Sequence, residues 1–144
     1  RSRGLGDVYK RQKQHRTKTT NRYFNYIYVR MGAHTLIHKR TEDDIWKNLF
    51  ELPLVETEKD LSEEEFLACP QFHALFAEGE VRMVRTLLRG VKHVLSHRVI
   101  YTNFYEVTLP DNSSSFSSYQ RVAVEDLGRY AVPRLIHAFL EKYV

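Results

Sequence analysis

The hydrophobic pattern of the chain begins at Arg22. In "RYFNYIYVR", Phe24, Tyr26 and Tyr28 alternate with Tyr23, Ile27 and Val29, so both faces of a strand carry apolar or aromatic side chains. Such a strand is usually covered on both sides and central in its sheet. Met31-Gly32-Ala33 reads as a turn into "HTLIHKR", a second strand, and together they predict a hairpin. "DDIWKNLFELPLVE" then offers Trp46, Leu49, Phe50 and Leu52 to the core before Pro53 interrupts the pattern. Ser62 and Glu65 stand at capping-box spacing and open a helix carrying Phe66 and Leu67. Pro70 suits the first position of a further helical segment, "PQFHALFAEG", ending near Gly79.

Two more strands follow, "VRMVRTLLR" and "RVIYTNFYEVTL". In the second, Val99, Tyr101, Asn103, Tyr105, Val107 and Leu109 alternate with Arg98, Ile100, Thr102, Phe104 and Glu106. "PDNSSSFSS" reads as a Ser-rich loop, long enough to be mobile. "YQRVAV" predicts a short edge strand, and Glu125 and Asp126 start a helical turn. The last helix starts at Pro133, with Leu135, Ile136, Phe139, Leu140 and Tyr143 in a stripe at helical spacing. Strands and helices are mixed in one chain of 144 residues, which fits a single α/β (α+β) domain with helices packed on a mixed sheet.

Charge changes the picture only locally. Residues 1–18 hold seven Lys/Arg against Asp7, which leaves 15 basic and 17 acidic residues in 19–144, a net of −2. The folded part is therefore not basic overall, but its charge is segregated. Residues 42–65 carry ten acids against Lys47 and Lys59. Residues 81–105 carry Arg82, Arg85, Arg89, Lys92 and Arg98, plus His93 and His97, with no acid. A polyanion would bind that second segment if it bound the domain at all; the plainer alternative is a solvated face. "RSRGLGDVYKRQ", residues 1–12, has no hydrophobic period and reads as an adapter-derived scar. Residues 13–21 read as a basic linker, and 22–144 as the domain. No apolar run approaches the roughly 20 residues a membrane helix needs. A lone cysteine, Cys69, excludes an internal disulfide and a cysteine-based zinc or iron–sulfur site in this chain. It fits a reducing, cytoplasmic setting.

Candidate chemistry is sparse. Ser96 and His97 stand together at the head of the last long strand, yet adjacent strand residues point to opposite faces and no orienting carboxylate is near in sequence. A nucleophile–base pair is therefore a poor reading, and by themselves the two are strand-end polar residues. His34 and His38 share a strand face, too far apart for a metal pair, and are expected at the surface. His73, His93 and His137 show no ligand spacing. Cys69 before Pro70 reads as half-buried packing, and Trp46, Tyr23, Tyr26 and Tyr28 as core.

Four segments in order carry a family resemblance: "NRYFNYIYVR", "HKRTEDDIWKNLFELPLVET", "HVLSHRVIYTNFYEV" and "YAVPRLIHAFLEK". Over residues 13–144 the chain resembles the C-terminal domain of MutY-type A/G-specific adenine DNA glycosylases. The resemblance implies a Nudix-like mixed β-sheet flanked by helices. It implies recognition of 8-oxoguanine opposite adenine in double-stranded DNA, on behalf of an N-terminal catalytic domain in cis. That domain would hold the adenine-excising residues and the family's 4Fe-4S cluster; this chain would hold no cofactor and be inactive alone. The family's Phe-Ser-His loop falls on Leu95, Ser96 and His97, so Leu95 departs from the pattern. Arg89, Lys92, His93 and Arg98 would then meet phosphates. A Nudix hydrolase would need an Arg-Glu and a Glu-Glu pair on its box helix; here Glu63, Glu64 and Glu65 are consecutive and read as helix-start charges. A Nudix-type nucleotide pyrophosphohydrolase and a non-catalytic protein-interaction module are the alternatives.

Overall fold

The computed structural model describes residues 19–144, so the segments read as a scar and, up to residue 18, as a linker lie outside the described residues. Strand β1, Thr20–Arg30, opens two residues before Arg22. It is followed by β2 (His34–Lys39), β3 (Phe50–Glu51), β4 (Leu54–Thr57), helix α1 (Glu63–Ala68) and helix α2 (Pro70–His73). The second half holds β5 (Met83–Leu95), β6 (Arg98–Thr108), β7 (Gln120–Ala123), a 3-10 helix over Val124–Arg129 and helix α3 (Arg134–Tyr143). A four-stranded mixed sheet runs β4-β1-β6-β5, with β1 and β6 parallel, and a three-stranded sheet runs β3-β2-β7.

β1 is central, as its two-faced apolar pattern requires: Phe24 through Val29 are all buried. Its even face (Phe24, Tyr26, Tyr28) joins Phe104, Ile136 and Phe139 in one core cluster. Its odd face (Ile27, Val29, Met31) joins Phe66, Phe72 and Tyr105 in a second, under α1 and α2. The hairpin expected between β1 and β2 does not form. Both edges of β1 are occupied, by β4 and β6, so β2 keeps only the bridge between Met31 and His34 and turns away to pair with β3 and β7. Gly32 makes that departure possible. It sits at φ +62, and a Cβ there would lie 2.8 Å from an Asp111 carboxylate oxygen.

The capping box at Ser62 and Glu65 forms in both directions, and Pro70 opens α2. The expected continuation to Gly79 stops at His73: the amides of Leu75 and Phe76 turn to the carbonyls of Phe72 and His73, three residues back, and the amide of Ala77 goes to the hydroxyl of Ser115. The same contact corrects the picture of a mobile Ser-rich loop. The Glu80 carboxylate accepts from the hydroxyls of Ser113 (2.5 Å) and Ser115 (2.8 Å) and from the Ser114 amide (3.2 Å), and Ser115 is buried. Those hydroxyls hold the Glu80 carboxyl down to about 2. A depressed carboxyl stabilises the fold above its ordinary value of 4.5 and loses that contribution as pH falls toward about 2. The wild-type chain is therefore expected to melt above Glu80→Gln at neutral pH, with the gap closing over that acid window in thermal scans.

Of the residues read as core, Leu52, Tyr26 and Tyr28 are buried, whereas Trp46, Leu49, Phe50 and Tyr23 are half-buried. His38, expected at the surface, is only a third exposed, with its Nε2 turned inward. Its Nε2 lies 3.0 Å from the Glu51 carboxylate, out of line for a hydrogen bond but close enough to pair ionically once protonated. Glu51 also accepts from Tyr26 Oη (2.7 Å) and Arg40 Nη1 (2.9 Å). From Arg40 the pairing runs on through Asp44 to Arg22, which grips Asp44 and Glu56 with two bonds each. Arg22 holds the Asp44 carboxyl down to about 2. Part of the acidic run 42–65 is thus internal wiring that ties the loop before β3 to β1.

Candidate nucleic-acid interface

β5 and β6 form the longest hairpin among the described residues, 13 and 11 residues, and its last rung pairs Leu95 with Arg98. Ser96 and His97 are therefore the two residues of the turn itself, both exposed. The turn is held through its backbone. The His97 carbonyl accepts from the Thr20 amide at 3.1 Å and from the Thr20 hydroxyl at 3.4 Å, which ties the tip to the start of β1. Parallel pairing of Thr20 with Arg98 continues that tie along the sheet. The side chains of Ser96 and His97 are left facing solvent at the end of a stiff arm.

The structure gathers some of the sequence candidates there and separates others. Leu95 lies at the tip, but its side chain packs against the first core cluster. The exposed apolar residue beside the turn is its neighbour Val94, 66% accessible. Arg98 is exposed next to His97, and Lys92 is exposed opposite Tyr101. His93 packs against Trp46, ring centroids 5.9 Å apart. Arg89 is set apart, beyond the bulge at Gly90. It donates to Tyr105 Oη (2.7 Å) and the Leu61 carbonyl (2.9 Å) and lies 3.9 Å from Asp60. Arg85 likewise pairs with Glu106. The acid-free run of 81–105 is thus partly neutralised from other elements, and Lys92 and Arg98 are the exposed cations nearest the turn.

The carboxylates of α1 do not converge. Glu65 closes its own capping box, which holds its carboxyl below the usual range, and Glu63 contacts the Thr86 hydroxyl. Among the described residues no group of three or more His, Cys, Asp or Glu is placed to hold a metal ion. The donor set present here does not fit a divalent-cation cage on α1.

Sequence reading passed over one feature of this end of the sheet. Tyr23 and Tyr101, directly opposite each other on β1 and β6, stack at 5.6 Å and 15°. Only the parallel β1–β6 register brings them together, and no local pattern announces it.

Residues 25–142 match the family model described as NUDIX domain. The chain belongs to this family. No curated protein sequence matches it significantly. Among solved structures, this NUDIX domain is similar to the C-terminal domain of mouse MUTYH, solved in complex with human PCNA. The TM-score is 0.61 at 15% identity, covering 85% of this chain and 86% of that one. It is also similar to the MutT protein of Methanosarcina mazei Go1, with TM-score 0.56 and 17% identity over 86% and 93% of the two chains. A MutT from a study of Aliivibrio salmonicida and Vibrio cholerae gives TM-score 0.57 and 15% identity over 85% and 96%. At these identities the likeness establishes the NUDIX fold. Among the described residues, no helix is long and apolar enough to cross a membrane.

Proposed function

We propose that this NUDIX domain reads 8-oxoguanine opposite adenine in double-stranded DNA for a MutY-type adenine DNA glycosylase whose catalytic domain, with its 4Fe-4S cluster, acts in cis. The observation that carries the reading is the exposed Ser96-His97 turn, braced by Thr20 at the tip of the β5–β6 hairpin. The chemistry suits the task. Guanine offers N7 as an acceptor, whereas 8-oxoguanine carries N7–H and a carbonyl at C8. The Ser96 hydroxyl can accept from N7–H, and that hydroxyl or a turn amide can donate to O8. His97 can donate to a phosphate or base edge, and Lys92 and Arg98 supply charge for the backbone. Leu95, packed inward, supports the turn rather than wedging into DNA.

In this reading the full chain binds a duplex with 8-oxoguanine opposite adenine more tightly than the guanine counterpart, by about 1–3 kcal/mol for one well-formed contact. Ser96→Ala is expected to erase most of that preference in a fluorescence-anisotropy titration. Equal affinity for both duplexes, unmoved by Ser96→Ala, would sink the assignment.

One observation favours a protein-interaction module instead. A groove of about 540 Å³ lined by Leu67, Phe72, Phe76, Val81 and Val84 opens beside α2, with Val81 exposed. The mouse MUTYH domain, moreover, was solved with PCNA. Salt-insensitive capture of PCNA, without any DNA binding, would replace the first reading, since DNA affinity falls with salt. Mg²⁺-dependent release of pyrophosphate from 8-oxo-dGTP would replace both.

A further inference from the structure

Four apolar side chains at the hairpin end of the large sheet belong to neither core cluster: Tyr23, Val94, Val99 and Tyr101. They share one face. Tyr23 lies four residues before Ile27 and Tyr101 four before Tyr105, and both of those pack under α1. Lys92 is directly opposite Tyr101, and Val94 directly opposite Val99, so they stand on the same side. This face stays buried through the row of Ile27 and Tyr105 and the next row, Asn25 and Asn103, 1% and 4% exposed. Beyond them, the rows Tyr23–Tyr101–Lys92 and Val99–Val94 are half-buried or exposed.

The face has the wrong composition for a solvated sheet end and the right one for a flat π-system. The Tyr23 and Tyr101 rings, stacked 15° from parallel on paired strands, cover one face of each other, so a further ring would extend the stack at an outer face. Lys92 closes the row with a positive charge; of the acids just past β4, Asp60 is engaged by Asn103 Nδ2 and approached by Arg89, while Glu58 follows Thr57 on the far side of Tyr23. Asn21, paired with Val99, adds a polar group at the margin. A protein partner would be met by aliphatic surface over a broader area. A nucleobase needs only a ring-sized aromatic step and a cation for its phosphate.

We propose that the Tyr23–Tyr101 face, with Val94 and Lys92, takes an unpaired nucleobase of a DNA strand, beside the turn that reads the lesion. The proposal rests on the DNA reading of that turn. A base freed from its stack would leave the duplex on the α1 side of the hairpin while Ser96 and His97 contact the lesion at its tip.

The test uses the full chain and a labelled single-stranded thymidine oligomer, which has bases to stack but no guanine lesion. Tyr101→Leu and Tyr23→Leu are each expected to weaken binding about tenfold, whereas Tyr101→Phe stays within about twofold of wild type. Lys92→Gln, an exposed change that leaves the rings in place, lowers affinity and flattens its salt dependence. Ser96→Ala is read separately, by its loss of lesion preference in duplexes. Unchanged affinity in both leucine variants, or equal loss in Tyr101→Phe and Tyr101→Leu, overturns the platform even if Ser96 discriminates. A platform that binds the oligomer alongside duplexes bound without regard to 8-oxoguanine overturns the lesion reading alone.

Discussion

Glu51→Ala is expected to lower the unfolding free energy by about 3–5 kcal/mol, visible as a large drop in the urea midpoint with little change in slope. The Glu51 carboxylate is 3% exposed and faces Arg40 Nη1, Tyr26 Oη and His38 Nε2 at once. Removing it leaves a guanidinium that is only 9% exposed without its buried partner, and a phenol hydroxyl without its acceptor. Arg40 retains Asp44 and the Ile45 carbonyl, so the loop before β3 should loosen rather than detach. Burial, with the Glu51 charge beside it, already raises the Tyr26 phenol well above its ordinary value. Glu51→Gln should cost less than alanine, because an amide oxygen still accepts from Tyr26. A domain of this size holds only about 5–15 kcal/mol in total. An alanine variant with an unchanged midpoint would show that the cluster contributes nothing net.

The second large effect is expected at Phe104. Its ring is fully buried on β6, stacked on Phe139 of α3 at 4.2 Å and on Tyr26 of β1 at 5.7 Å. Phe104→Ala removes the closest ring stack between the large sheet and the last helix, at about 3–5 kcal/mol, and leaves Tyr28 against Phe139. The cavity would open between strand and helix, where the stack from Tyr26 to Phe139 continues into Tyr143. The signature should be selective: amide exchange in α3 accelerates more than in α1, which packs on the opposite face. Equal acceleration in both helices would mean that the two clusters unfold as one.

How much of this was legible depends on the range of each interaction. The centrality of β1, the capping box at Ser62, the proline start of α2 and the stripe of α3 are local patterns, and each appears where the residues place it. The failures are all non-local. Nothing in "YVRMGAHTLI" reveals that both edges of β1 are already taken, so the hairpin with β2 was the natural expectation. Nothing near Ala77 announces that its amide will be claimed by Ser115 across a gap of 38 residues. At the candidate site, the parity of Leu95 and Val94 cannot be followed from the start of β5, because register shifts between Thr86, Leu88 and Val91 reset which side faces the core. The same shifts turn Arg89 toward Tyr105 and away from the tip. Ser96 and His97, by contrast, stand at the head of β6 as its own alternation has it, but that they form the whole turn depends on β5 running on past Arg89 to Leu95, which the 81–89 pattern does not show.

β5 is also the outer strand of the large sheet, and among the described strands none pairs with its far side. A strand of 13 residues in that position is a template for another chain's backbone. Arg82, Arg85, Arg89 and Lys92, together with the kinks at Thr86–Leu88 and Leu88–Val91, are the devices that discourage such pairing. The cations along this arm therefore guard against self-association, and in the proposed reading Lys92 also meets phosphate. Stripping several of them at once to abolish DNA affinity would also unmask an adhesive edge, and the resulting loss of binding would have to be separated from oligomers that hide the tip.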